Sequence, residues 1–269
     1  LAKGALLAYS TIKFEARDGI AFLTLSRPQV ANALNDTMAI ELTDACQIIR
    51  QRDDIHVVIL SGEGEKGFCA GGDLTEFSDG LENHQYESKQ RLVLRSNSVN
   101  IIASLNRPVI AAVHGYALGL GLGLVLGCDI RIADDSAVFA APDVGKGYIP
   151  MSGVTQRLPR LIGRGKALEM LVTGERIDAQ EAWRIGLINK VVPRDRLLPE
   201  AEEWARKLAA KAPVAVRFAR ETVNKGMDMT LEQGLRLEAD LYFLLFSTRD
   251  RTEGVTAFRE KRTPNFTGE

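Results

Sequence analysis

HGYALGLGLGLVLGCD, residues 114–129, alternates glycine with leucine through its middle. Gly119, Gly121 and Gly123 fall two apart, the period of a strand, yet a strand draws no packing from three positions without side chains. Glycine also costs a helix roughly 1 kcal/mol per site relative to alanine. The stretch follows VIAAV (109–113), which reads as a buried strand, and leads into a helix. That is where dinucleotide folds place a glycine fingerprint, but the spacing fails. GxGxxG would need glycine at Leu124 or at Leu126, and GxxxxGK[ST] occurs nowhere.

A second glycine cluster, KGFCAGGDL (66–74), lies upstream, after the strand-like VVIL (57–60) and the loop SGEGE. Two glycine-bearing strand-to-helix turns in one α/β domain can aim backbone N–H groups at one point, where they stabilise negative charge developing on a carbonyl oxygen. The same glycines can equally serve close helix packing. Spacing alone leaves both readings open.

Outward from these clusters, strand-like and helix-like segments alternate. IKFEAR (12–17) and IAFLTLS (20–26) flank Asp18-Gly19, a favoured hairpin dipeptide. Met38, Leu42, Ala45 and Ile49 recur at helical spacing, with Asn35 and Asp36 as N-cap candidates. Leu92, Ser96, Val99 and Ala103 fit another helix face, and DIRIA (129–133) reads as a further buried strand. This order predicts an α/β domain with a largely parallel core. After about residue 160 the strand signal fades. Capping patterns at Asp178/Glu181, Thr230/Gln233 and Asp250/Glu253 mark helix starts, as do Pro199 and Pro213. The expected division is an α/β core over 1–199 and a helical section over 200–269.

The chain has 269 residues, 45% of them hydrophobic and 26% charged, which is globular composition. Its net charge of −1 argues against a binder that works by neutralising phosphates, so no nucleic-acid partner is expected. Cys46, Cys69 and Cys128 are odd in number and widely spaced, neither a metal pattern nor a disulfide framework, which fits a reducing, cytoplasmic setting. The apolar stretches are broken by charged residues and glycines, so no membrane span is expected.

FCAGGDL, HGYALGLG with CDIRIA, FAAPDVGKGYIPMSGVTQRLPRLIG, TGERIDAQEAWRIGLINKVV and DRTEGVTAFREKR together resemble the enoyl-CoA hydratase/isomerase (crotonase) superfamily, in order from about Ile12 to Phe266. The resemblance implies the crotonase (ClpP-like) fold: stacked ββα turns followed by a helical C-terminal trimerisation section. It implies acyl-CoA thioester substrates, no cofactor beyond the coenzyme A carried by the substrate, and a homotrimer or a dimer of trimers. Residue by residue, it implies oxyanion-hole N–H groups at Ala70 and Leu120. Contacts to coenzyme A are implied around Val30, Ala70, Gly72 and Leu74. Phe258 and Lys261 match residues that a neighbouring subunit presents to the nucleotide.

Hydratases of this family carry two glutamates. Here Gly123 stands at one of those positions and Asp143 at the other. Gly123 has no proton to give, so Asp143 becomes the expected general acid/base, its pKa raised by burial near Ile149, Pro150 and Met151. Members that keep only the second carboxylate tend to be double-bond isomerases, which leaves hydratase and isomerase both open. The dehalogenase and dienoyl-isomerase branches use an aspartate where Met151 stands, which argues against both. The room at Gly123 is a candidate recess for a bulky acyl group. Other candidate activities are thioester hydrolysis or a further lyase reaction on the same fold, and a non-catalytic acyl-CoA or RNA binder. His114, at a strand end, reads as a satisfied core histidine. Asp129 reads as structural, Asp73 as a helix cap, Glu76 as solvent-facing, and the polar stretch around Tyr86 as a flap or a surface loop.

Overall fold

The computed structural model describes residues 9–73, 75 and 85–269. The hairpin comes first: β1 (Ile12–Arg17) and β2 (Ile20–Leu25) pair antiparallel across Asp18 and Gly19. Both turn residues have positive φ, +53° and +76°, as a tight right-twisting hairpin requires. Helix α1 (Asp36–Gln51) starts at Asn35, whose side chain accepts the Met38 N–H. Strand β3 (Val57–Gly62) pairs parallel with β2. Helix α2 (Gln85–Ala103) then packs on α1 and leads to β4 (Val109–Val113).

From β4 the chain steps into a second sheet with β5 (Tyr116–Leu118), turns into α3 (Leu120–Gly127), and returns to the first sheet as β6 (Ile130–Asp134). It repeats the step with β7 (Val138–Ala140), a 3-10 turn over Pro142–Lys146, and helices α4 (Val154–Ile162) and α5 (Arg164–Thr173). After β8 (Ile177–Asp178) and α6 (Ala179–Arg184), β9 (Lys190–Val192) closes the six-stranded order β1-β2-β3-β4-β6-β9. The smaller sheet runs β5-β7-β8. These are the stacked ββα turns of the crotonase fold. Strands β5, β7, β8 and β9 have only two or three residues each, too short to show a period in the sequence.

The strands between the sheet's edges divide their side chains between two cores. Val58, Leu60, Ala111 and Val113 face α1, α2 and α3, while Val57, Ile59, Ile110 and Ala112 face Leu197, Ala201 and Ala205 of α7 (Leu197–Ala209). Burial on both faces is why these strands read as unbroken apolar runs. The boundary expected at 199/200 therefore falls inside a helix that covers the sheet. Pro199 is the third residue of that helix, not its opener. Beyond it lie α8 (Pro213–Gly226), α9 (Leu231–Leu244) and α10 (Arg249–Glu260), and neither α8 nor α9 has a buried residue.

Arg220 of α8 ties this section to the core. Its Nε sits 2.7 Å from Asp129 Oδ1, and its Nη atoms donate to the Ala103 and Leu105 carbonyls. Asp129 also accepts the Val109 N–H, the structural role expected for it. One capping assignment is corrected. Thr248, not Asp250, caps α10; Asp250 is buried inside the helix, where its carboxylate accepts the Thr267 and Gly268 N–H groups of the chain's tail. No helix among the described residues is long and apolar enough to cross a membrane.

Candidate active site

Two backbone segments far apart in sequence are zipped together. Phe68 N–H donates to His114 O at 2.7 Å, Cys69 N–H to Tyr116 O at 2.8 Å, and Leu118 N–H to Cys69 O at 3.0 Å. Glycine permits this approach. A Cβ on Gly67 would sit 2.3 Å from Tyr116 N, and one on Gly121 would sit 2.2 Å from Cys69 O. Gly121 is therefore bare because the first turn of α3 lies directly on the loop 67–72. Gly119 precedes the helix with φ +50°, which favours glycine for a different reason.

The loop is braced from behind. Asn32, fully buried at φ +56°, donates to the Glu63 and Gly67 carbonyls and accepts the Arg27 N–H. Arg27 Nη1 reaches Asp73 Oδ2 at 2.8 Å, a largely buried pair, and also donates to Ala33 O. Asp73 Oδ1 accepts from the Thr75 N–H and hydroxyl, which is the capping role expected of it.

This bracing engages one of the two N–H groups expected as oxyanion donors. The Ala70 N–H is already taken, donating to Ala31 O at 2.9 Å. Two residues on, Leu34 bonds both Gly71 O and Asp73 N–H, so the N–H of the intervening Gly72 points to the opposite side, as alternation along a bridged strand demands. Gly72 N–H has no acceptor among the described residues. Nor has Leu120 N–H, one of the donors that the first turn of α3 leaves unpaired and directs along the positive end of the helix dipole. Both residues line one cavity of about 160 Å³.

The facing wall comes from the turn after β7. Asp143 and Pro142 line the same cavity, with Lys146, Tyr148, Ile149, Met151 and Ser152. The Asp143 carboxylate lies 3.5 Å from where a Gly119 Cβ would be. Burial raises its pKa, against the opposing pull of its own backbone N–H and of Lys146. Among the described residues its Oδ2 is buried with no hydrogen-bond partner, as is Ser152 Oγ. Arg95 of α2 also reaches this cavity, with its Nε 2.6 Å from Asp36 Oδ1.

Of the expected site residues, the structure brings Ala70, Gly72, Leu120, Asp143 and Met151 together around the cavity. Gly123 does not line it. A Cβ there would meet Ser152 Cβ at 3.3 Å and Val154 Cγ2 at 3.5 Å, so the recess imagined for an acyl group is already filled. Val30 is exposed on the turn 28–30, outside the cavity. Phe258 and Lys261, on and just after α10, are exposed and do not line it within this chain. Leu74, Glu76 and the Tyr86 side chain lie outside the described residues. His114 is buried with Nε2 2.8 Å from Gly64 O, a satisfied core group as expected. Burial pushes the Cys69 thiol up to about 12, which leaves it inert beside the cavity. Ser152 and Arg95 were missed by sequence reasoning. The only local trace of Ser152 is that it precedes Gly153, and nothing links Arg95 to Asp36 across 59 positions.

Fold and cavity together define an enzyme of the crotonase class, with free backbone donors on one wall and a half-buried carboxylate on the other. Residues 15–269 match the sequence profile of the Enoyl-CoA hydratase/isomerase family, and the chain belongs to that family. It is 41% identical over 260 residues to a crotonyl-CoA hydratase of Syntrophomonas wolfei, covering 97% of this chain and 99% of that one. It is 39% identical over 253 residues to a short-chain-enoyl-CoA hydratase of Clostridium acetobutylicum, covering 94% and 96%. The crystal structure of an enoyl-CoA hydratase from Bacillus anthracis superposes with a TM-score of 0.93 at 40% identity, covering 97% of this chain and all of that one.

Proposed function

We propose that the protein adds water reversibly to a 2-enoyl-CoA thioester, using Asp143 as its single proton-transfer group. The observation that carries this is the facing of two walls across one cavity: free N–H groups of Gly72 and Leu120 opposite a half-buried carboxylate whose pKa is raised. Attack of water oxygen at C3 pushes the C2=C3 electrons toward the thioester oxygen. Hydrogen bonds from Gly72 and Leu120 stabilise that enolate, and removing one such donor typically costs about 10²–10³ in rate. Asp143 takes the proton released by the water and delivers it to C2. The C3–O and C2–H bonds form, the enolate collapses to the thioester, and the carboxylate is regenerated. The reaction needs no cofactor beyond the coenzyme A of the substrate.

A second reading, migration of the double bond between 3-enoyl- and 2-enoyl-CoA, is favoured by the lack of a carboxylate at Gly123, since moving one proton needs only Asp143. Incubation with paired 2-enoyl- and 3-enoyl-CoA in ¹⁸O-water separates the two. A labelled adduct supports hydration; interconversion without mass gain overturns it in favour of isomerisation.

The homotrimer or dimer of trimers is proposed on the exposed apolar side chains of the C-terminal section, where Tyr242, Phe243, Leu244 and Phe246 stand within one short stretch. Light scattering after gel filtration tests it, a monomer being the adverse result.

A further inference from the structure

Asp143 Oδ2 and Ser152 Oγ are both buried without a hydrogen-bond partner among the described residues, and both residues line the same cavity. Buried polar atoms are seldom left in that state except where a ligand or water completes them. Ser152 is 4% exposed and adopts φ +60°, a conformation that non-glycine residues seldom take. Its carbonyl is fixed by Arg157 Nη1 at 2.9 Å, so the backbone holds the residue in that conformation.

Both side chains stand against the start of helix α3. The Asp143 carboxylate stands over Gly119, 3.5 Å from its Cβ position, and Ser152 Cβ stands over Gly123, 3.3 Å from its Cβ position. Gly119 caps α3 and Gly123 lies in its first turns, so both side chains border the start of the same helix. We propose that Ser152 is a positioning residue that, with Asp143, holds the water that adds to C3. Asp143 accepts one water proton and Ser152 Oγ accepts the other, which leaves an oxygen lone pair for C3. A neutral hydroxyl does this without placing a second negative charge beside Asp143. Gly123 is then bare because any side chain there would crowd Ser152. This inference rests on the hydratase reading above.

The test uses the full-length protein and its S152A and S152G variants, the latter relieving the positive φ in case alanine is poorly tolerated. Hydration is followed with crotonyl-CoA in ¹⁸O-water, and binding of butyryl-CoA is measured by calorimetry. The expected result is a kcat for hydration lowered about 10- to 100-fold in both variants, with KM and the butyryl-CoA Kd within about twofold of the parent, since neither involves the water. Unchanged hydration in either variant overturns the role of Ser152 while leaving the hydratase reading standing. Butyryl-CoA binding weakened in parallel with kcat in both variants also overturns it, because a merely structural role would act that way. If the parent gives no labelled adduct, the hydratase reading itself falls and the water site falls with it.

Discussion

The two walls of the cavity differ in how completely their polar groups are satisfied. On the donor wall, Asn32, Arg27 and Asp73 hold the loop 67–72 with hydrogen bonds that leave the Gly72 and Leu120 N–H groups as its open donors onto the cavity. On the acid wall, Asp143 and Ser152 each keep a buried oxygen with no partner among the described residues. The donor wall is rigid because a hydrogen-bond donor stabilises charge best when it need not move. On the proposed hydration, the partners of the acid wall arrive with the reactants.

Removing the acid should have the largest effect on activity. Asp143→Asn should lower kcat for crotonyl-CoA hydration by about 10²–10⁴ with butyryl-CoA binding retained, as steady-state kinetics and calorimetry would show. Stability should move the other way. Burial raises the Asp143 pKa, so the folded protein holds that proton more tightly than the unfolded chain. Stability from this group is therefore greatest below the ordinary carboxylate value of about 3.9 and declines as pH rises through the raised folded value. Asn has no such penalty, so D143N should melt no lower than the parent at pH 7 and lose that part of the pH dependence. The parent's kcat/KM should climb with pH through the same raised value, since the base must be ionised to take a proton from water.

On the donor wall, Gly121→Ala puts a Cβ 2.2 Å from a carbonyl oxygen, and backbone must shift. We expect a loss of about 10²–10³ in kcat/KM, comparable to losing an oxyanion donor. Arg27→Ala tests the brace rather than the donors. Leaving Asp73 without its largely buried partner should cost about 3–5 kcal/mol in urea unfolding, with a smaller change in kcat than G121A. The smallest effect is expected at Gly123, where an alanine Cβ meets a side-chain carbon at 3.3 Å and needs only a few tenths of an ångström. G123A should keep its fold and lower kcat less than tenfold. If G121A and G123A prove alike in kinetics and melting, the contrast between the two faces of α3 is wrong.

Much of the architecture was legible along the chain. The hairpin at Asp18-Gly19, helix α1 with its Asn35 cap, and strands β3, β4 and β6 announce themselves through turn residues and periodicity, which are local properties. Asp143 and Leu120 were legible through resemblance to known relatives, and the cavity contains both. The strands of the second sheet were not, since two or three residues carry no period. Nor was the cap of α10, because Asp250 is claimed by N–H groups 17 and 18 residues further along.

What the order of amino acids determined, then, is where glycine must let backbone approach backbone and which carboxylate stands beside it. Which N–H faces the cavity was decided only in three dimensions: Ala31 takes the Ala70 donor, and the bridge from Leu34 turns the Gly72 donor inward. The meaning of Gly123 was decided the same way, by a serine 29 positions later whose side chain fills the space beside it. Periodicity and capping act over a few residues and leave a mark in sequence. Competition for a hydrogen bond or for a volume is settled between groups that only the fold brings together.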